Sequence, residues 1–328
     1  MPVLFFATPQ RNVAPARLGR RVLVAFCACA LALYGATACD GAERPSARAT
    51  VANAAADDAA SALRDDFGQP IDLARTPTRV ISLNPTTTEI IYALGAQSRL
   101  IGRSHWDKWP AAAISKPDVG DGIRPNVEQL IAAHPDLVIL YATDSNRDAA
   151  ARLAHADIST LSLRINSVHD FDRATRMLGR VLGDSAAGAI VADSVNRSLA
   201  RVRAATQPLP HPTTVWRLAD RPPMVVGGGS FMSELLEDAG ARNLYAQLSQ
   251  PSPVVAIEDV VIRNPDVVII GGDMGASSTS LGTWNSVPAV TKGRVVSVSS
   301  DLVARPSVQM GAAAAALARA LHPGLVLR

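Results

Sequence analysis

The chain is poor in cysteine, poor in aromatic groups and, over its first 38 residues, devoid of acid. All three Cys of the 328 residues lie at or before position 39. No pair remains downstream to staple a fold, so disulfide scaffolding is excluded for the body of the protein. Of 32 Lys and Arg, four (Arg11, Arg17, Arg20, Arg21) fall in residues 1–38, leaving 28 basic against 29 acidic groups from residue 39 onward. The overall charge of +3 therefore belongs to the N-terminus. With no basic stripe on the body, nucleic acid is excluded as a partner. Catalytic signatures are missing as well. There is no Gly-x-Ser-x-Gly, no His-Glu-x-x-His, no Gly-Lys-Ser/Thr phosphate loop and no cysteine nucleophile in the body. The six His (His105, His134, His155, His169, His211, His322) are scattered without ligand spacing. A hydrolase and a direct zinc or manganese receptor are thus the weaker alternatives to a non-catalytic binding protein, and no cofactor is expected.

What is present begins with an address. Arg17 to Arg21 precede an apolar run, Val22 to Tyr34, followed by Gly35-Ala-Thr-Ala-Cys39. That order, charged then apolar then small, predicts a signal peptide over 1–38 and an exported protein. The small residues running into Cys39 resemble a bacterial lipobox, in which the cysteine is acylated and becomes the mature N-terminus; cleavage after Ala38 to leave a soluble protein is the other reading. Residues 39–74, rich in Ala, Asp, Ser and Arg, read as a disordered tether too short of large apolar groups to bury a core. Together these predict a protein held at the periplasmic or cell-surface side of a membrane by a lipid anchor.

The body alternates short β-branched runs (Arg79–Leu83, Leu137–Leu140, Ile158–Leu163, Val215–Leu218, Val267–Ile270, Val295–Val298) with helical patterns, the mark of parallel sheets covered by helices. Within it lies an internal repeat. Asn126 to Leu140 aligns without gaps on Ala256 to Ile270 at an offset of 130, each copy giving a helical pattern with one Glu, then Pro-Asp, then an apolar strand. Two similar lobes follow. Between them, Ser167 to Ala205 shows apolar residues at three- and four-residue spacing, interrupted by Asp184 as an N-cap and by no strand signal. The expected architecture is α/β, two similar lobes with central parallel sheets joined by one long rigid α-helix. Its expected boundaries are an N-terminal lobe over 75–182, the linking helix over 183–205 and a C-terminal lobe over 206–328.

Over residues 75 to 323 the sequence resembles the substrate-binding proteins of ABC importers that carry cobalamin, ferric siderophores or haem on two lobes linked by a single helix. The resemblance rests on Arg79-Val-Ile-Ser-Leu-Asn-Pro-Thr-Thr-Thr-Glu-Ile-Ile-Tyr-Ala-Leu-Gly95, Ile101 to Pro110, Lys116-Pro-Asp-Val-Gly120, the two Glu-bearing repeats, and Pro223 to Gly240. Ser104 to Pro110 and Asp301 to Arg305 look most like the cobalamin-binding branch, whereas polar, glycine-rich Gly120 to Arg124 stands where some of its members carry an aromatic. The resemblance implies a monomer that captures a corrinoid between its lobes and delivers it to a permease dimer, with a ferric siderophore or haem as alternatives.

It also implies site residues. Pro85 and Thr86, where the first strand opens into a helix, would line the cleft at strand carboxyl ends, Thr86 and Glu89 also serving the helix start. Trp106 stands at the position of a ligand-facing aromatic, and His105 beside it is either a cobalt or iron ligand or a plain exposed histidine. Trp216 and Arg305 would reach the cleft from the second lobe. Glu128 and Glu258, at equivalent places in the repeat, would dock on permease arginines. Gly227-Gly-Gly-Ser230 would hold an anion on its N–H groups or form a tight turn for close helix packing.

Overall fold

The computed structural model describes residues 63–72, 75–272 and 281–327. The signal peptide, Cys39 and the tether up to residue 62 lie outside them. Four parallel strands, β1 (Val80–Ser82), β2 (Leu100–Arg103), β3 (Leu137–Tyr141) and β4 (Ser159–Leu163), form a first sheet in the order β2-β1-β3-β4. Helices α1 (Pro85–Ala93), α2 (Val127–Ala132) and α3 (Arg147–His155) connect them, and α4 (Val168–Val181) follows β4. The second sheet comprises β5 (Thr213–Ala219), β6 (Met224–Val225), β7 (Arg242–Asn243), β8 (Val267–Gly271) and β9 (Val295–Val298), in the order β6-β5-β8-β9 with β7 also on β5. All pairs in it are parallel except β5 with β6, which is antiparallel. Two-residue β6 and β7 carry too few β-branched residues to announce themselves in the sequence, so the antiparallel strand at the edge of an otherwise parallel sheet was not expected. The protein is thus α/β with two lobes, each built on a mainly parallel sheet.

Between the sheets the chain runs through α4 and then α5 (Ser185–Thr206), 22 residues and about 33 Å at 1.5 Å per residue. Ser167 caps α4 in a capping box with Asp170, and the Asp184 carboxylate accepts Ala187 N–H at 2.8 Å to start α5. The two helices cross where Gly179 and Gly188 meet; a Cβ at Gly179 would stand 2.7 Å from the Gly188 Cα. One apolar cluster then passes through both lobes. It joins Val80, Ile90, Leu161 and Phe171 of the first, Val195 and Leu199 of α5, and Trp216, Leu235 and Met310 of the second. The outer faces of the two sheets have separate cores, around Leu130 and Leu140 on one and Val260 and Trp284 on the other.

The repeat has a structural basis. His134 and Asn264, 130 residues apart, end α2 and α7 (Ile257–Arg263) in the left-handed region, at φ of 49° and 46°. A buried Pro follows each, and the next residue, Asp136 or Asp266, takes the start of the neighbouring strand. Asp136 accepts Thr78 N–H at 2.7 Å and Arg79 N–H at 2.9 Å; Asp266 accepts the Thr213 N–H at 2.9 Å and its hydroxyl at 2.6 Å. Pro-Asp therefore both stops a helix and fastens the strand beside the one it begins.

The remaining elements are α6 (Phe231–Asp238), α8 (Pro288–Thr291), α9 (Ser300–Val303) and the C-terminal α10 (Met310–Leu321). Among the described residues no helix is long and apolar enough to cross a membrane. One boundary needs correction: the folded part begins before residue 75, because 63–70 forms a turn docked on β4, the edge strand. Asp65 is buried, accepting Phe67 and Gln69 N–H with one oxygen and Ser162 N–H with the other. Asp66 accepts Arg164 N–H at 2.6 Å and the Arg173 guanidinium at 2.8 Å. The Arg147 guanidinium lies 4.4 Å over the Phe67 ring. A mainly polar stretch without periodicity orders itself this way by satisfying an exposed strand edge, while Leu63 and Phe67 pack partly buried against the cores.

Candidate functional site

Parallel strands point their carboxyl ends to one side of each sheet, and the residues leaving those ends are where the two lobes meet. At the end of β1, Asn84 accepts Thr86 N–H at 3.0 Å and caps α1, and Pro85 occupies its first turn. The cap is therefore Asn84, not Thr86, and Glu89 lies beyond the first turn. Thr86 instead donates its hydroxyl to the Pro306 carbonyl at 2.7 Å. One turn on, on the same face of α1, Glu89 receives Arg305. Nε donates to Oε1 at 2.6 Å and Nη2 contacts the same oxygen. These contacts span 220 and 216 residues and tie the first lobe to the segment between α9 and α10. A second tie runs from the end of β4, where the Phe231 N–H reaches the Asn166 carbonyl at 3.0 Å and the Val168 N–H reaches Glu234 at 3.2 Å.

Glu89 has no solvent exposure and its Oε2 has no hydrogen-bond partner. Burial pushes its carboxyl up to about 7, against the lowering pull of Arg305 and with Asp107 adding to the rise. Asp107, also buried, accepts the Thr88 hydroxyl at 2.5 Å and the Ser104 hydroxyl at 2.6 Å. Burial raises its pKa too, those two hydrogen bonds opposing the rise. Asp107 thereby anchors to α1 the loop that leaves β2 and carries His105, Trp106 and Trp109. That loop is further held by His105 N–H to the Gly120 carbonyl at 3.1 Å. Its aromatic groups face outward: Trp106 is 48% exposed, with the His105 ring centroid 4.6 Å from its own. Among the described residues no group of three His, Cys, Asp or Glu could hold a metal ion.

Tyr141 ends β3 beside these groups. Burial raises its phenol above the ordinary value, with Asp107 and Asp121 adding to the rise and Arg305 opposing it. The glycine-rich stretch at 120–124 is explained here. A Cβ at Gly122 would lie 1.9 Å from the Leu83 carbonyl oxygen and 3.2 Å from the Tyr141 ring, so the chain passes flush against the end of β1 where no larger residue fits.

The structure thus gathers Arg305, His105 and Trp106 around one interlobe base; Pro85 and Thr86 belong to it but are buried, the Thr86 hydroxyl being held by Pro306, so their expected cleft-lining role is corrected to a packing one. It does not bring Trp216 there. That residue lies inside β5 rather than at its end and is 1% exposed in the shared core, so its expected ligand contact is corrected to a packing role. Gly227-Gly-Gly-Ser230 resolves toward close packing: Gly227 and Gly228 N–H donate to the Pro251 and Leu248 carbonyls, and a Cβ at Gly228 would meet the Ala246 oxygen at 1.9 Å. Sequence reasoning missed Thr88, Ser104, Asp107 and Tyr141 and gave Glu89 only a helix-start role. The available signal was the spacing of Thr86 and Glu89, which places both on one helix face.

Away from the cleft, Glu128 and Glu258 are each the second residue of a short helix, α2 and α7, and both are exposed. Glu128 accepts the Arg152 guanidinium at 2.5 Å. No ion pair to Glu258 is seen among the described residues. A cavity of about 600 Å³ lies elsewhere, at the far end of α5 between Arg203, His211, Glu237 and Arg242; it is remote from the strand ends that define the cleft.

Comparison with known proteins gives one family match, to the periplasmic binding protein model over residues 80–302. The vitamin B12-binding protein of Vibrio parahaemolyticus is 27% identical over 245 residues, covering 74% of this chain and 88% of that one. Among solved structures, the periplasmic vitamin B12-binding protein BtuF of Vibrio cholerae superposes with a TM-score of 0.65 at 22% identity, covering 75% of this chain and 97% of that one. The periplasmic haem-binding protein RhuT from Roseiflexus gives 0.65 at 21%, covering 74% and 99%.

Proposed function

The chain belongs to the periplasmic binding protein family, and from that premise we propose that it captures a corrinoid, cobalamin or cobinamide, between its lobes and passes it to the permease of an ABC importer. Family membership makes it a binding component and not an enzyme. The observation that carries the corrinoid reading is the loop after β2: an exposed Trp106 held in place by a buried carboxyl, Asp107, through two short hydrogen bonds. A planar macrocycle is bound by flat apolar walls, and an indole carried on an anchored loop offers such a wall at reduced ordering cost. The similarity to vitamin B12-binding proteins points the same way.

Haem is the second reading, favoured by exposed His105 beside Trp106 and by the likeness to a haem-binding structure. Tyr141 argues against it as an iron ligand. A phenolate ligand needs a lowered pKa, and the surroundings of Tyr141 raise it. Delivery rests on Glu128 and Glu258, exposed at equivalent positions on the two lobes where they can steer a basic permease surface. Cys39, acylated, would keep the monomer at the outer side of the membrane on the tether that follows.

The test is to titrate the purified chain with cyanocobalamin, dicyanocobinamide, haemin and a ferric hydroxamate while following tryptophan fluorescence. Quenching by a corrinoid at or below tens of micromolar supports the reading, since an affinity near 10 μM is about 7 kcal/mol. Quenching by haemin or the hydroxamate alone overturns it.

A further inference from the structure

Arg305 is the cation the second lobe sends to the cleft base, and Glu89 has already taken it. The guanidinium contacts from Nε and from Nη2 both fall on one carboxylate oxygen of a residue with no solvent exposure, and the Arg305 side chain is itself 19% exposed. Acids and a protonated phenol stand beside this pair. Asp107 is buried against Thr88 and Ser104, Asp121 lies near Tyr141, and the Tyr141 environment holds the phenol protonated. Arg103, a second buried cation nearby, spends Nη1 on the Ser104 carbonyl and Nη2 on the Ile114 carbonyl, with Asp118 3.8 Å away; its Nε is buried and without a hydrogen-bond partner. Lys108 and Arg124 are exposed, where water and salt screen them.

We infer that Glu89 sets the charge of the ligand this cleft accepts: by occupying Arg305 it denies a desolvated cation to incoming carboxylates, so the site takes uncharged or cationic chelates and rejects anionic ones. The inference deepens the corrinoid reading, because a corrinoid presents a ring of neutral amides. The energetic reason is asymmetry. A ligand carboxylate entering beside Asp107 and an Arg305 whose charge is already paired with Glu89 loses its water without gaining an uncompensated cation there, whereas an amide can share hydrogen bonds at little cost. Glu89 is on this view a specificity-determining residue that never touches the ligand, since it has no accessible surface of its own.

The probe that isolates charge is cyanocobalamin against its own monocarboxylic acids, in which one propionamide is hydrolysed and the shape is otherwise kept. At about pH 8, where a carboxyl with a pKa near 7 is ionised, the native chain should bind the amide at least about ten-fold more tightly than the acid. Glu89→Gln keeps the side-chain shape and releases Arg305, and should shrink that ratio to about two-fold or invert it; adding Arg305→Met to Glu89→Gln should restore the preference for the amide. A ratio unchanged in Glu89→Gln, with the variant unfolding cooperatively like the native chain, overturns the inference. So does a native chain that prefers the acid. A second pair separates this claim from the corrinoid reading: neutral ferrichrome against anionic ferric enterobactin. Binding of ferrichrome and rejection of enterobactin, with no corrinoid bound, would sink the corrinoid reading and leave the charge rule standing. Preference for enterobactin would sink the charge rule.

Discussion

Thr88 donates its hydroxyl to Asp107 at 2.5 Å across 19 residues of sequence, and neither side chain reaches solvent. This bond fastens the loop carrying Trp106 to α1. Thr88→Val keeps the volume but leaves a buried carboxyl short of one donor, which costs roughly 1–3 kcal/mol. Urea denaturation should show that loss. Ligand affinity should fall as well, with Trp fluorescence of the free protein shifting because its loop is loosened. A variant as stable as the parent and with the same spectrum would contradict the anchoring role.

Trp106 and Trp216 make opposite predictions. Trp106→Ala removes a half-exposed ring, so stability should move by no more than about 0.5–1 kcal/mol while capture weakens strongly. Trp216→Ala empties a site in the core common to both lobes and should cost about 3–5 kcal/mol. Thermal unfolding and ligand titration of the two variants side by side distinguish a cleft residue from a core residue.

Stability should fall as pH rises from about 4.5 to about 7. Glu89 has its folded pKa raised to about 7 by burial from an unfolded value of 4.5. In that window the folded chain retains a proton that the unfolded chain has released. The unfolded state then binds fewer protons and gains on the folded one, by at most about 3 kcal/mol for this group. Asp107, Glu234 and Asp238, also raised by burial, act in the same direction. Asp172, Asp259 and Asp266, lowered chiefly by hydrogen bonds from Arg176, Arg263 and Thr213, act oppositely and only below about pH 4. Denaturation midpoints at pH 5 and pH 7.5 check the slope, and Glu89→Gln should flatten it.

The docking glutamates should be unequal. Glu128 is already paired with Arg152, whereas Glu258 is exposed without an ion pair among the described residues. In vesicles bearing the cognate permease, Glu258→Ala should lower transport more than Glu128→Ala. The double variant should abolish it while leaving ligand affinity in solution unchanged. Loss of affinity in that variant would place the glutamates in the cleft instead.

Legibility in the sequence followed the range of the interactions. The two sheets, the capped helices α4 and α5 and the 130-residue repeat arise from short-range periodicity and from caps within four residues, so they could be read from the order of residues alone. The cleft could be approached only through its strand ends. Glu89 reads as an ordinary helix glutamate until Arg305, 216 residues away, is placed on it. Asp107 stands between two tryptophans and gives no hint that Thr88 holds it. Trp216 misled because an aromatic near a strand end looks the same whether it faces ligand or core; the strand extends to Ala219, and its period of two turns the ring inward. The segment 63–70 misled for the opposite reason, being mostly polar, with Leu63 and Phe67 as its large apolar groups, and fastened by its two aspartates.

The apolar cluster that passes through both lobes has a consequence for how such a protein can change its cargo. Phe171 in one lobe and Trp216 in the other belong to the same packed body, so neither half can be repacked by itself without straining its neighbour. The loops at the strand ends are under no such constraint. Drift in ligand preference is therefore confined to short surface stretches on an indivisible frame, and a handful of substitutions there could convert one receptor into another while leaving its folding untouched.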